Sequence, residues 1–236
     1  MLLVVLLLAG SLAACGNGTK TPRTQKGQCD YKTDPAGAAK KVAPPPLDPP
    51  KGEPSEVTIS TNRGDIKVSL DADQAPCTVN AFVSLVKQGF FDHTRCHRLT
   101  TAGLFVLQCG NPQATGKPGD SNAGSGGPGY YVKDELVDND PRLQPCYSQV
   151  DQRSGRPYCT YTTGTVALAK AGPDTGGSQF FLVYRDSQLP NAFNVFGKMS
   201  AAGVKVVQAV AAGGAYPADI TGNTPPKLET EITSVK

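Results

Sequence analysis

From Glu56 to Lys236 the chain holds only two stretches with helical periodicity, set among a succession of short β-type runs. Val57 to Thr61 and Asp65 to Leu70 flank Asn62-Arg63-Gly64, a hairpin signal with a glycine available for positive φ. Strand patterns recur at Arg95–Leu99, Phe105–Cys109, Gly164–Ala169, Gln179–Tyr184 and Asn194–Gly197, and the run Lys227–Val235 alternates apolar and charged residues. The first helix has Pro76 in its opening turn, Val79, Phe82, Val83 and Val86 at helical spacing, and Gly89 at its end. The second, Ala201 to Ala212, places Val204, Val207 and Ala211 on one face. Many strands and two helices predict a mainly β fold: a closed antiparallel barrel capped by the two α-helices.

The first residues carry a different message. Met1 to Gly10 is apolar, too short to span a bilayer, and runs into Leu12-Ala13-Ala14-Cys15. That ending resembles a bacterial lipobox. The expected organisation is a signal peptide over residues 1–14, a lipidated Cys15 opening a flexible Pro-rich tether over 15–54, and a folded domain over 55–236. The tether reading rests on Pro44-Pro45-Pro46, Pro49-Pro50 and the scarcity of large apolar residues, a composition that does not offset the entropy of ordering. Export, with lipid anchoring to the outer face of the cytoplasmic membrane, is the expectation.

Seven cysteines suit an oxidising compartment. Setting Cys15 aside leaves Cys29, Cys77, Cys96, Cys109, Cys146 and Cys159, an even set expected to form disulfides whose pairing spacing does not decide. No C-x-x-C occurs and His93 and His97 are the only histidines, so zinc and thioredoxin-type chemistry have no support. A net charge of +3 gives no footprint for nucleic acid. Gly110 to Lys117 misses the phosphate-loop spacing and is followed by Pro118, and no G-x-S-x-G elbow is present.

Two segments remain. Cys96-His97-Arg98 is followed by Leu104-Phe105-Val106-Leu107-Gln108-Cys109-Gly110. Farther on stands Ala169-Lys170-Ala171-Gly172-Pro173-Asp174-Thr175-Gly176-Gly177-Ser178-Gln179-Phe180-Phe181-Leu182. Together with Pro76, Thr78, Asn80 and Phe82 they resemble the signature regions of cyclophilins, which read F-H-R, F-M-x-Q-G-G and A-N-A-G-P-x-T-N-G-S-Q-F-F. The resemblance implies a cyclophilin-like barrel and peptidyl-prolyl cis-trans isomerase activity, with no cofactor or metal. Its substrates would be proline-containing peptides and exported proteins, and the protein is expected to be a monomer.

What the resemblance implies for single residues is specific. Arg98, Gln108 and Phe105 match catalytic positions, while Val106, Ala169, Lys170, Ala171, Gln179, Phe181, Leu189 and Phe193 match positions along the peptide cleft. Lys170 stands where the family usually has Asn, Val106 where it has Met, and Cys109 where it has Gly. Gln188 and Phe193 stand where Trp and His are common. Cys146 and Cys159 flank an insertion, Pro145 to Thr160, that the usual family spacing lacks, which implies a disulfide between them. Strand alternation puts Cys96 on the face of Arg98 and Cys109 off the face of Gln108, disfavouring a Cys96–Cys109 pair, and it turns His97 away as a structural, hydrogen-bonded histidine. The rival reading is a proline-peptide binding module or holdase without turnover; retention of Arg98 favours the enzyme.

Overall fold

The computed structural model describes residues 28–50, 54–219 and 223–236. Its framework is a nine-stranded sheet. The strands are β2 (Glu56–Thr61), β3 (Gly64–Leu70), β4 (Thr94–Arg95), β5 (Arg98–Leu99), β6 (Val106–Cys109), β10 (Thr165–Leu168), β11 (Phe180–Val183), β13 (Val195–Met199) and β14 (Glu231–Val235). Their order is β4-β14-β2-β3-β13-β10-β11-β6-β5. The two edge strands are thus neighbours in the chain, separated only by Cys96 and His97, and the sheet curls until its edges meet. The mainly β, barrel-like fold capped by two helices is thus the one expected from the sequence. The pairing passes from β4 to β5 through a covalent bend, not through a ladder between them.

Helix α1 (Pro76–Lys87) buries Val79, Phe82, Val83 and Leu85 against the sheet. Phe82 meets the rings of Phe91, Phe180 and Phe196 at 5.0–5.6 Å between centroids, edge to face with Phe180 and tilted against the other two. Ala75 gives the helix no side-chain cap. Glu135 supplies one from afar: its carboxylate accepts from the backbone N–H groups of Cys77 and Thr78 and from the Thr78 hydroxyl, at 2.7–2.8 Å. A negative group at a helix N-terminus also complements the macrodipole. Helix α2 (Ala201–Ala212) is capped by Ser200, whose Oγ accepts from the Gly203 N–H. Gly203 packs closely on Ile66 in β3: a Cβ there would lie 3.0 Å from its Cγ2 and 3.2 Å from its Cα, tighter than ordinary contact.

Five strands lie outside the pattern read from the sequence: β1 (Tyr31–Ala38), β7 (Pro128–Val132), β8 (Cys146–Val150), β9 (Pro157–Tyr161) and β12 (Ser187–Pro190). β1 pairs antiparallel with β7, Tyr31 opposite Val132, which corrects the flexible-tether reading for residues 28–50. That stretch needs no core of its own, because it is fastened onto α1. Cys29 is bonded to Cys77, Asn80 donates to the Tyr31 hydroxyl and the Pro46 carbonyl, and the Lys40 ammonium reaches the Gly89 carbonyl. The signal-peptide and Cys15 readings lie outside the described residues. β8, β9 and β12 form a separate three-stranded sheet in which Cys146 is disulfide-bonded to Cys159.

Cys96 and Cys109 are also bonded to each other, against the alternation argument. The expected single strand over Arg95–Leu99 is broken at Cys96-His97, so the parity counted through it does not hold. The Cys96 N–H donates across to Thr230 and the His97 N–H to Gln108, on opposite sides of the seam. The Cys29–Cys77 bond closes a separation of 48 residues. Replacing both cysteines with Ser should lower unfolding free energy by about 4 kcal/mol in the chain-entropy argument. Chemical denaturation of the double variant, with an unchanged midpoint, would show that the N-terminal segment is held without it.

Candidate active site

A cleft of about 520 Å³ runs along the outside of β6, β10 and β11. Strand pairing sets its floor. Gln108 lies opposite both Arg98 and Phe181, and Val106 opposite Val183, so one face of β6 presents Val106 and Gln108 while β11 presents Phe181. Arg98 Nη1 donates to Gln108 Oε1 at 3.4 Å, Gln108 Nε2 donates to Gln179 Oε1 at 2.9 Å, and Gln179 Nε2 donates to the Gly126 carbonyl at 3.0 Å. This chain points every amide in one sense, and among the described residues most of the guanidinium donors of Arg98 have no partner. Burial alone acts on Arg98, lowering its pKa from the ordinary Arg value. Gly110, at φ +92°, lets the end of β6 approach Ser178 so closely that a Cβ would overlap the Ser178 carbonyl. Ser178 Oγ donates to the Gly110 carbonyl at 2.7 Å, fixing the start of the Gln179–Phe181 run.

One end of the cleft is apolar, lined by Leu104, Val106, Phe181, Leu189 and Phe193. The rings of Phe181 and Phe193 meet edge to face at 5.4 Å. Behind them stands Tyr161, fully buried, its hydroxyl donating to the Pro190 carbonyl at 3.0 Å. Leu189 is held by pairing with Cys159, so the disulfide-bonded insertion forms the back of this pocket. Ala169, Lys170 and Ala171 line the cleft farther along. Lys170 ties its ammonium to Asp134 at 2.5 Å, so the cation standing in place of the family's Asn is paired within the protein.

Of the residues expected at the site, Phe105 is not brought to the cleft. Alternation gives the cleft face to Leu104 and Val106, and Phe105 turns to the other side, where its ring lies under the Arg185 guanidinium and against Tyr184. Its N–H is taken by Ser187 Oγ at 3.0 Å. Leu104 takes its place in the pocket. Asp34, Ala36, Tyr131 and the stretch 124–128 also line the cleft. Only the glycine-rich run Gly124 to Gly129 signalled any of this, as backbone able to approach a partner closely.

These features set an arginine, steadied by glutamines, beside an apolar pocket in an open cleft on the outside of a curled sheet. The comparisons agree with that outline. Residues 56–236 match the family described as cyclophilin type peptidyl-prolyl cis-trans isomerase/CLD. A probable peptidyl-prolyl cis-trans isomerase B of Mycobacterium leprae is 41% identical over 225 residues, covering 91% of this chain and 68% of that protein. Its Mycobacterium tuberculosis counterpart is 42% identical over 215 residues, covering 88% and 63%. A Cryptosporidium parvum cyclophilin-type isomerase, crystallised in the presence of the dipeptide Ala-Pro, superposes with a TM-score of 0.55 at 26% identity, over 76% of this chain and 96% of that one. The chain belongs to the cyclophilin-type peptidyl-prolyl cis-trans isomerases.

His97 is the one titratable group buried in the bend beside Arg98. It does not line the cleft, which accords with a structural role, but neither ring nitrogen meets a partner at full hydrogen-bond geometry. Burial pushes its pKa down to about 4, and polar neighbours at Arg95 and Gln179 offset only part of that. A histidine lowered in this way stabilises the fold fully above its unfolded value of 6.5, and that contribution is lost as pH falls toward 4. Between pH 7 and 5 the wild type should lose about 2 kcal/mol more unfolding free energy than His97→Leu. Urea titrations at the two pH values measure the difference, and equal losses would mean that His97 binds its proton as readily in the folded protein as in the unfolded chain.

Proposed function

We propose that the cleft accelerates rotation about X–Pro bonds in exported polypeptides, with Arg98 stabilising the twisted amide and no covalent step. The observation that carries this reading is the Arg98–Gln108–Gln179 hydrogen-bond chain beside the apolar pocket. Rotation must break amide resonance, at a barrier of about 18–20 kcal/mol. As resonance is lost the proline nitrogen becomes pyramidal and gains a lone pair. A guanidinium with free N–H groups beside it binds that form better than either planar isomer, which is what lowers the barrier. Gln108 holds Arg98 in place, and the pocket of Phe181, Leu189 and Phe193 keeps the ring still while the preceding carbonyl turns.

The same proposal places the protein outside the cytoplasm, lipid-anchored through Cys15. Two features support it. Residues 1–14 have the composition of an export signal and lead into Cys15 through Leu12-Ala13-Ala14. The six other cysteines all lie in disulfides, a state kept in oxidising compartments, which leaves Cys15 as the cysteine outside these pairs.

Arg98→Ala should keep the fold and slow cis–trans exchange of a proline peptide by about two to three orders of magnitude, each tenfold being about 1.4 kcal/mol. Exchange measured by NMR at a near-normal rate would remove Arg98 from the mechanism. Cys15→Ser should release the protein from the membrane fraction with loss of the lipid mass. A variant that stays membrane-bound at unchanged mass would refute the anchor.

A further inference from the structure

Beyond Gln179 the cleft continues into a second lobe whose wall is not part of the barrel. It is made by β1, which precedes the residues matched by the family, and by the stretch 124–128 leading into β7. Asp34, in the middle of β1, is only 8% exposed yet lines this lobe. Its carboxylate is fixed in place: the Tyr131 hydroxyl and the Ala36 N–H both donate to Oδ1 at 2.8 Å. Both bonds fall on one oxygen. Among the described residues Oδ2 has no hydrogen bond and no cation pairs with the carboxylate.

The other charges along the cleft do not cancel it. Lys170 is neutralised by Asp134 at 2.5 Å, and Arg98 is steadied by Gln108 at the opposite side of Gln179. Gln179 donates to the Gly126 carbonyl, which marks where this lobe begins, and Phe181 lines the apolar pocket two residues farther along. At a strand rise of 3.3–3.4 Å per residue that step is about 7 Å, the length of two residues of an extended peptide. Asp34 and the apolar end thus line one cleft, and an anchored, unpaired carboxylate along it asks for a cation on the same peptide.

We propose that this lobe is a subsite for a basic side chain, closed by Asp34, which selects prolyl peptides carrying Lys or Arg within about two or three residues of the proline. The proposal rests on the apolar pocket taking the proline.

Blocked peptides with an Ala-Pro core, carrying Lys, norleucine or Glu at each position up to three residues on either side, test it by titration against the full chain. At one or more positions Lys should bind about three- to tenfold more tightly than norleucine, with Glu weakest, and the advantage should shrink at high salt. Asp34→Asn keeps Oδ1 as an acceptor for Tyr131 and Ala36 while removing the charge, and should abolish the difference between Lys and norleucine. Asp34→Glu should retain the preference for Lys. A wild type that binds Lys and norleucine peptides equally at every position, or a Lys preference that is insensitive to salt or persists in Asp34→Asn, overturns the subsite. Exchange rates on the norleucine peptides read the isomerase separately. Binding and turnover without a Lys preference sinks the subsite alone, whereas failure of the norleucine peptides to bind sinks both.

Discussion

One segment of six residues, Thr94 to Leu99, has to serve both edges of the barrel sheet, and the position of the arginine follows from that. β4 pairs with β14 and β5 with β6, so the chain must bend sharply between them. The bend sends Cys96 inward to Cys109 and buries His97. It also leaves Arg98 on a strand paired on one side only, with its side chain over the cleft. The backbone stitches the seam from both directions, through Cys96 to Thr230 and His97 to Gln108. A continuous five-residue strand would have kept the ladder intact and lost the bend that seats Cys96 and His97 inside.

Around this framework the two ends of the cleft are built from outside the barrel. The apolar end is backed by the insertion, where Tyr161 fills the space behind Phe181 and Phe193 and pairing with β9 holds Leu189. The other end is walled by the N-terminal strand against β7. Each piece carries one disulfide: Cys29–Cys77 ties the N-terminal strand region to α1, and Cys146–Cys159 joins β8 to β9 within the insertion. Specificity can therefore vary in these pieces while the seam and its arginine stay as they are.

This division also explains what a single sequence reveals. The barrel strands and both helices carry apolar periodicity because they face a common core, and α2 begins and ends at Ala201 and Ala212 as the spacing predicts. β1, β8 and β12 are polar or rich in Pro and Gly, and their order comes from cross-strand pairing and disulfides that leave no periodic trace. Arg98, Gln108 and Gln179 were legible through motif likeness, whereas Asp34 was not, since its partner Tyr131 lies 97 positions away. Phe105 was misplaced because a motif gives order along the chain and not the face of the strand. Cys96 was misjudged for a related reason: alternation was counted through a break.

The docking of β1 shortens a leash. On the lipid-anchored reading, a tether that ran free from Cys15 to the barrel at Ser55 would let the catalytic body roam roughly 130–145 Å from the bilayer at full extension, at 3.3–3.6 Å per residue. Fastening is in place by Cys29, 14 positions after Cys15, so on that reading anchor and body can be separated by at most about 50 Å. The point of attachment is moreover the wall of the cleft and not the far side of the barrel. The cleft would then work within a molecular diameter or so of the membrane surface, where newly translocated chains first appear still unfolded.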